Sequence, residues 1–138
     1  MAKSTPRTRR PHPPQNEPDA PEVETAAPVA TSMAAGKPTP VTYTRTFVDG
    51  IGSAGVSEDI WPLVQELLAG SFVVSVAQIA AAVKLLVERS RIVAEGAGAS
   101  SVAAALRGNV DARRIVCIVS GGNIDSEKLA TILRGEIP

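Results

Sequence analysis

Arg114-Ile115-Val116-Cys117-Ile118-Val119-Ser120-Gly121-Gly122-Asn123-Ile124-Asp125 is the stretch against which the rest of the chain is read. After Arg114 it is a continuous apolar, largely β-branched run that ends on two glycines. Such a run reads as a strand buried on both faces of a parallel sheet. Past the glycines, Asp125 or Ser126 is a helix cap, and Glu127, Lys128, Leu129, Ile132 and Leu133 continue as a short helix. Strand, Gly-rich turn and helix place Ser120 at the carboxyl end of a strand, where open α/β sheets bind ligands. Cys117 falls within the expected strand and reads as a buried core thiol.

Working back from this stretch, the chain alternates helices and strands. Small residues from Ser100 to Leu106 suit a helix packed closely on a neighbour, stopped by Gly108-Asn109. The glycines of Glu95-Gly96-Ala97-Gly98-Ala99 mark a break after Arg91-Ile92-Val93-Ala94, which reads equally as a strand or as a helix continuation. A helix is expected from about Ala77 to Ser90, with Ile79, Val83, Leu86 and Val87 inward, after a short strand Phe72-Val73-Val74-Ser75-Val76. Ser57-Glu58-Asp59 starts another helix, whose Ile60, Leu63, Val64, Leu67 and Leu68 follow the i, i+3, i+4, i+7, i+8 pattern of one apolar face. Pro62 requires that helix to begin close to it or to bend there. Residues 41–48 form a β-prone run closed by Asp49-Gly50. Residues 23–36 read as an Ala-rich helix with Pro28 in its first turn and a Gly36 stop. This alternation predicts an α/β fold.

The 138 residues allow one domain at most. Nine of the 11 prolines lie in residues 1–40, and residues 1–22 hold almost no large apolar side chains. Such a segment buries too little surface to offset its ordering entropy, so a disordered Pro/Arg-rich tail is expected at 1–22 and the folded part at 23–138. Formal net charge is zero, which gives no electrostatic argument for nucleic acid or an anionic membrane. Lys3, Arg7, Arg9 and Arg10 make only the first ten residues basic. No apolar run approaches the roughly 20 residues that span a bilayer. With its single cysteine, which has no intramolecular disulfide partner, the chain is expected to be cytoplasmic.

Much catalytic chemistry is excluded by inventory. The one histidine, His12, lies in the tail, which removes a Ser–His triad and a His-based metal cluster. The acids are scattered singly. Two Gly-rich motifs remain. In the first, Gly121 and Gly122 let a planar ligand approach the backbone while Ser120 offers a neutral hydrogen bond; a βα turn with an incidental serine has the same sequence. In the second, Gly96 and Gly98 precede a helix and either cradle an anion or allow close packing. Their spacing does not fit the dinucleotide fingerprint. Glu95 stands alone among small residues, as a site carboxylate or a surface acid.

Four stretches occur in order: Thr46-Phe47-Val48-Asp49-Gly50-Ile51, Trp61-Pro62-Leu63-Val64, Val93-Ala94-Glu95-Gly96-Ala97-Gly98-Ala99, and Ile118-Val119-Ser120-Gly121-Gly122-Asn123-Ile124-Asp125. Together they resemble the C-terminal part of the pyridoxal-phosphate-dependent threonine/serine dehydratases, relatives of serine racemase and the tryptophan synthase β chain. The resemblance covers roughly residues 23–138, and Leu129-Ala130-Thr131-Ile132-Leu133-Arg134-Gly135 looks like that family's natural end. It implies part of a fold type II α/β domain, a partial parallel sheet flanked by helices. It also implies that Ser120 contacts the pyridine nitrogen of pyridoxal 5'-phosphate, that Glu95 lies near cofactor or substrate, and that Gly121 and Gly122 leave the ring edge uncrowded.

The departures from the family are as definite as the matches. The family's Schiff-base lysine lies in a Ser-Phe-Lys segment that has no counterpart here; Lys3, Lys37, Lys84 and Lys128 stand in other contexts. The Gly-rich phosphate loop and the Asn-bearing loop that contacts the ring hydroxyl are also missing. The divalent-metal site of some members would fall near residues 24–30, where no aspartate stands, so no metal site is carried over. The resemblance therefore implies the C-terminal half of an enzyme that eliminates water from L-threonine or L-serine to give a 2-oxo acid and ammonia. Covalent catalysis of this kind needs an amine nucleophile, so no catalytic residue is assigned and the chain alone is expected to be inactive. A separately encoded N-terminal half or a homo-oligomer is the expected partner. The alternative is a non-catalytic binding or interaction module, and a remnant without function is a third expectation.

Overall fold

The computed structural model describes residues 8–9, 18–108 and 114–138. A three-stranded sheet has β3 (Gly70–Val74) at its centre. On one edge β3 pairs in parallel with β2 (Asp19–Val23), with Asp19 opposite Gly70 and Val23 opposite Val74. On the other it pairs antiparallel with β1 (Thr8–Arg9). Between β2 and β3 run α1 (Pro28–Ala35) and α2 (Trp61–Leu67). After β3 come α3 (Val76–Leu85), a π-helical turn (Leu86–Ser90), α4 (Gly96–Leu106) and α5 (Ser126–Arg134). The α/β class expected from the sequence is the class observed.

Local chemistry sets several of these boundaries. Pro28 occupies the first turn of α1, where its missing N–H costs nothing, and Gly36 closes the helix in the left-handed region at φ 71°. Ser75 and Gln78 form a reciprocal capping box at the start of α3, with Gln78 N–H donating to Ser75 Oγ (3.1 Å) and Ser75 N–H to Gln78 Oε1 (2.8 Å). Val76 N–H is taken up by Glu24 Oε1 at 3.0 Å, which ties the end of β2 to the same helix start. The core joins Val23, Phe72 and Val74 of the sheet to Ile79, Ala82 and Val83 of α3, Ala99, Ala103 and Ala104 of α4, and Ile132 of α5. The small residues of α4 let its backbone come close to α3 and the sheet, which fixes where its first turn points.

Some expectations need correction. The boundary set at residue 22 falls inside β2, because Asp19–Val23 finds a ladder on β3 despite its proline and acids. The helix expected over 23–36 accordingly starts only at Pro28, and the helix over 77–90 divides into α3 and a π-helical turn that ends at Arg91 in the left-handed region (φ 59°). Thr8 and Arg9, also in the expected tail, form β1, and residues 1–7 and 10–17 lie outside the described residues. Residues 41–48 form no strand: Val41 and Thr44 spend their N–H groups on Ala54 and Thr25, and only Phe47 and Val48 are buried. The apolar face expected on α2 is not turned inward; Ile60, Leu63 and Leu67 are about half exposed, while Trp61 and Val64 do the packing. Most consequential, residues 114–119 are not a buried strand. They form no strand and have no ladder partner among the described residues, and Val116 and Ile118 are 90% and 75% exposed. Cys117 is half-buried rather than in the core. A β-branched run becomes a strand only when another strand offers it hydrogen bonds, and β3 already has partners on both edges.

At the start of α5, Asp125 does not cap with its side chain; it pairs instead with Lys128 Nζ at 2.9 Å. That hydrogen bond and charge raise the Lys128 pKa above its ordinary 10.5. A raised lysine pKa gives stability that is fully present below pH 10.5 and is lost as the pH rises through the folded-state value. Thermal denaturation of the wild type and Lys128→Gln should therefore show a small gap, since the pair is exposed, that stays constant from pH 7 to 10 and closes at still higher pH.

Candidate functional site

α4 begins at Gly96, so Glu95 is its N-cap residue and the glycines of Glu95-Gly96-Ala97-Gly98-Ala99 lie inside its first turn. Gly98 sits where a β-carbon would come within 2.7 Å of the Gly121 carbonyl oxygen and 3.0 Å of its nitrogen. The loop after residue 119 therefore rests directly on the helix backbone. Glu95 N–H donates to the Gly121 carbonyl at 3.0 Å and joins the two motifs. Gly121 in turn lies against the Glu95 carboxylate: a β-carbon there would overlap Glu95 Oε1 unless that side chain moved aside. The third wall is the Asp49-Gly50 loop. A β-carbon on Gly50 would lie 2.8 Å from the Ala97 methyl and 3.8 Å from Glu95 Oε1.

Three of the sequence stretches singled out by pattern thus meet at one place. Glu95 and Gly121 are in contact, and Ser120, next in the chain, is exposed on the lip. Its hydroxyl makes no hydrogen bond to another described residue. Gly96 serves packing: a β-carbon there would come within 3.0 Å of the Phe47 ring and the Val48 methyl. Gly122 lies under the carbonyl of Val93, 2.8 Å from a built β-carbon. Residues 115–119 lead into the site along α4, held by Ser101 Oγ donating to the Ile118 carbonyl (2.8 Å) and by Cys117 Sγ donating to the Ser101 carbonyl (3.5 Å). Gly50 and Gly98 build the site: the sequence offers Gly98 as an anion cradle or a close-packing glycine, and Gly50 only as the close of a β-prone run. An Asp-Gly dipeptide signals a turn, and a glycine in a helix signals close approach, but neither names what approaches.

Chemically, the site offers a hydroxyl and a carboxylate on loops drawn together by close-packed glycines. A hydroxyl can donate to or accept from a neutral ligand atom, and a carboxylate can accept from a donor. The lysines of the described region are occupied or placed elsewhere. Lys84 Nζ donates to the Leu133 carbonyl at 2.8 Å, Lys128 pairs with Asp125, and Lys37 is exposed just beyond α1. Among the described residues no group of three His, Cys, Asp or Glu is placed to hold a metal ion, and no helix is long and apolar enough to cross a membrane.

Comparison with known proteins gives this geometry a setting. A family model described as pyridoxal-phosphate dependent enzyme matches residues 18–121. An L-threonine ammonia-lyase of Geobacter sulfurreducens is 35% identical over 115 residues, covering 80% of this chain and 29% of the relative. A catabolic L-threonine dehydratase of Escherichia coli is 34% identical over 108 residues, covering 75% of this chain and 33% of the relative. Among solved structures, maize serine racemase superposes with a TM-score of 0.72 at 32% identity, over 84% of this chain and 38% of that one. The processed form of threonine deaminase isoform 2 from Solanum lycopersicum superposes with a TM-score of 0.71 at 30% identity, over 81% of this chain and 34% of that one. The chain spans about a third of the length of these relatives.

Proposed function

The chain belongs to the pyridoxal-phosphate-dependent enzymes, and on that footing we propose that it supplies one wall of the cofactor site in a threonine/serine dehydratase-type enzyme. In this reading Ser120 holds the ring nitrogen through its hydroxyl, Gly121 admits the ring edge, and the Glu95 carboxylate stands beside the cofactor or the amino-acid substrate. When bound, pyridoxal phosphate acts as an electron sink for bonds broken next to the substrate's amino-bearing carbon. A hydroxyl at Ser120 does not keep a proton on the ring nitrogen as a carboxylate does, so it moderates that sink and suits loss of a β-hydroxyl over transamination. The observation that carries the reading is the Glu95–Gly121 hydrogen bond, with the mutual exclusion of side chains around it. It joins the backbone of the Glu95 motif to that of the Ser120-Gly121 motif.

The amine nucleophile and the phosphate-binding backbone come, in this proposal, from the part of a relative's length that this chain does not match. The substrate is L-threonine or L-serine and the products are a 2-oxo acid and ammonia. A cytoplasmic setting, suggested by the unpaired Cys117, belongs to the same proposal. The test is a chimaera in which residues 18–138 replace the matched segment of the Geobacter sulfurreducens L-threonine ammonia-lyase. It should release ammonia from threonine, whereas the 138-residue chain alone should not. Ser120→Ala in the chimaera should weaken cofactor binding, followed by absorbance, by about tenfold for one lost hydrogen bond. Turnover by the isolated chain, or an unchanged cofactor affinity in Ser120→Ala, overturns the reading. A second reading, a non-catalytic interaction module, is favoured by the bare apolar run at 115–119. A chimaera that folds and binds cofactor without turnover selects it.

A further inference from the structure

We infer that Arg91 is a positioning residue: the left-handed turn of its backbone aims the segment that delivers Glu95 to the Gly121 loop. Its importance for turnover rests on the role proposed for Glu95 above. The motivating feature is a break in the helix that precedes the site. α3 runs regularly from Val76 to Leu85, and the next turn, Leu86–Ser90, is π-helical. A π-helical turn closes its hydrogen bonds over one more residue than an α-helical turn. An α-helix rotates about 100° per residue, so one extra residue swings the exit of the chain by about that angle.

Arg91 then stops the helix. Its N–H and that of Ile92 both donate to the Leu86 carbonyl, the latter at 3.1 Å. At φ 59° and ψ 32°, Arg91 is the one non-glycine residue with positive φ among the described residues. A side chain disfavours that region, and a residue stays in it only where its surroundings hold it. Here a guanidinium nitrogen reaches back to the Glu88 carbonyl at 2.5 Å and the Val87 carbonyl at 3.4 Å. Both carbonyls lie in the last turn, where partners within the helix run out. The charged group is thus turned back onto the helix, away from Glu95, and these contacts are exposed, so water can replace it. What Arg91 passes to the site is the direction of its backbone.

The segment that follows is short and held at several points. Ala94 is wholly buried in the core, the Val93 carbonyl lies over Gly122, and Glu95 N–H donates to the Gly121 carbonyl at 3.0 Å. Only Ile92, Val93 and Ala94 separate Arg91 from Glu95. A change of direction at Arg91 therefore either reaches Glu95 or unseats Ala94, and both loosen the Glu95–Gly121 bond.

The experiment is a graded series at one position. Arg91→Gly enters the left-handed region freely, Arg91→Ala less readily, and the β-branched Arg91→Val least of all. In the 138-residue chain, hydrogen–deuterium exchange at the Glu95 amide should stay within about threefold of wild type in Arg91→Gly. It should quicken by at least about tenfold in Arg91→Val, with Arg91→Ala between them. Ammonia release by the chimaera should follow the same order, within about threefold of wild type for Arg91→Gly and at least about tenfold lower for Arg91→Val. Arg91→Ala keeps the series decisive if Arg91→Val does not fold. General instability would lower turnover with or without the carboxylate. On a Glu95→Ala background, Arg91→Ala should instead change ammonia release by less than about twofold. Equal protection of the Glu95 amide across the series overturns the inference. So does Arg91→Gly proving as damaging as Arg91→Val, or a further loss from Arg91→Ala on the Glu95→Ala background. If the exchange series holds while Glu95→Ala leaves the chimaera's turnover unchanged, the functional reading fails and the positioning of Glu95 by Arg91 stands.

Discussion

Replacing Glu22 by Ala is expected to lower the stability of the fold by about 3 kcal/mol. Glu22 is 7% exposed at the penultimate position of β2. Its two carboxylate oxygens accept from Val29 N–H and Ala30 N–H, each at 2.7 Å, and Oε2 also accepts from Ser71 Oγ at 2.6 Å. Those amides are orphan donors in the first turn of α1, and the N-cap residue, Ala27, has no side chain to take them. Glu22 therefore caps α1 from outside the helix and binds it to β3 through Ser71. An exposed cap is worth about 1 kcal/mol, but this carboxylate is buried. Its removal strands two amides where water is scarce, at about 1–3 kcal/mol each. Ser71 keeps its second partner, the Ala20 carbonyl at 3.0 Å, which limits the total. Thermal unfolding followed by circular dichroism should show Glu22→Ala melting roughly 10 °C below wild type. Glu22→Gln, which keeps one acceptor oxygen, should fall between the two. A loss below about 0.5 kcal/mol in Glu22→Ala would mean that water replaces the carboxylate freely.

Glu22 also marks the limit of what the sequence discloses. One acid among Asp19, Glu22 and Glu24 carries no local signature that sets it apart, and its partners lie seven, eight and 49 positions away. The legible features are those governed within one turn of chain: Pro28 and Gly36 bounding α1, and Ile79, Val83 and Leu86 turned inward on α3 and the turn after it. Local pattern does not say what a face meets. Ile60, Leu63 and Leu67 have the spacing of a buried stripe and are half exposed; residues 115–119 have the composition of a central strand and no ladder. Both errors have one physical source: periodicity records which surface is apolar, while burial needs a second surface. The site was legible as two motifs brought into relation by resemblance. Its construction, Gly98 backbone against Gly121 backbone, depends on the crossing of α4 with a distant loop.

That crossing gives the sharpest test. In an ordinary helix interior, Gly→Ala stabilises by up to about 1 kcal/mol, because alanine loses less backbone entropy. At Gly98 the sign should reverse. The new methyl would meet the Gly121 carbonyl oxygen at 2.7 Å and its nitrogen at 3.0 Å, and both are backbone atoms that cannot rotate away. Either α4 or the loop has to shift, at an overpacking cost of about 1–3 kcal/mol, and the Glu95–Gly121 hydrogen bond, worth about another 1 kcal/mol, stretches with it. The expected net loss for Gly98→Ala is about 2 kcal/mol, read as a lowered melting temperature. Gly121→Ala is the informative contrast. Its methyl overlaps Glu95 Oε1, the far end of a flexible side chain, so the carboxylate swings aside and the fold keeps its stability to within about 1 kcal/mol. In the chimaera proposed above, that variant should nevertheless lose at least about tenfold in ammonia release, because Glu95 is displaced from the edge where Ser120 stands. One substitution then separates the two motifs and the other moves a single carboxylate. If Gly98→Ala stabilised the chain, the apposition of α4 and the Gly121 loop would be wrong; if Gly121→Ala left the chimaera's turnover intact, Glu95 would have no part in the site.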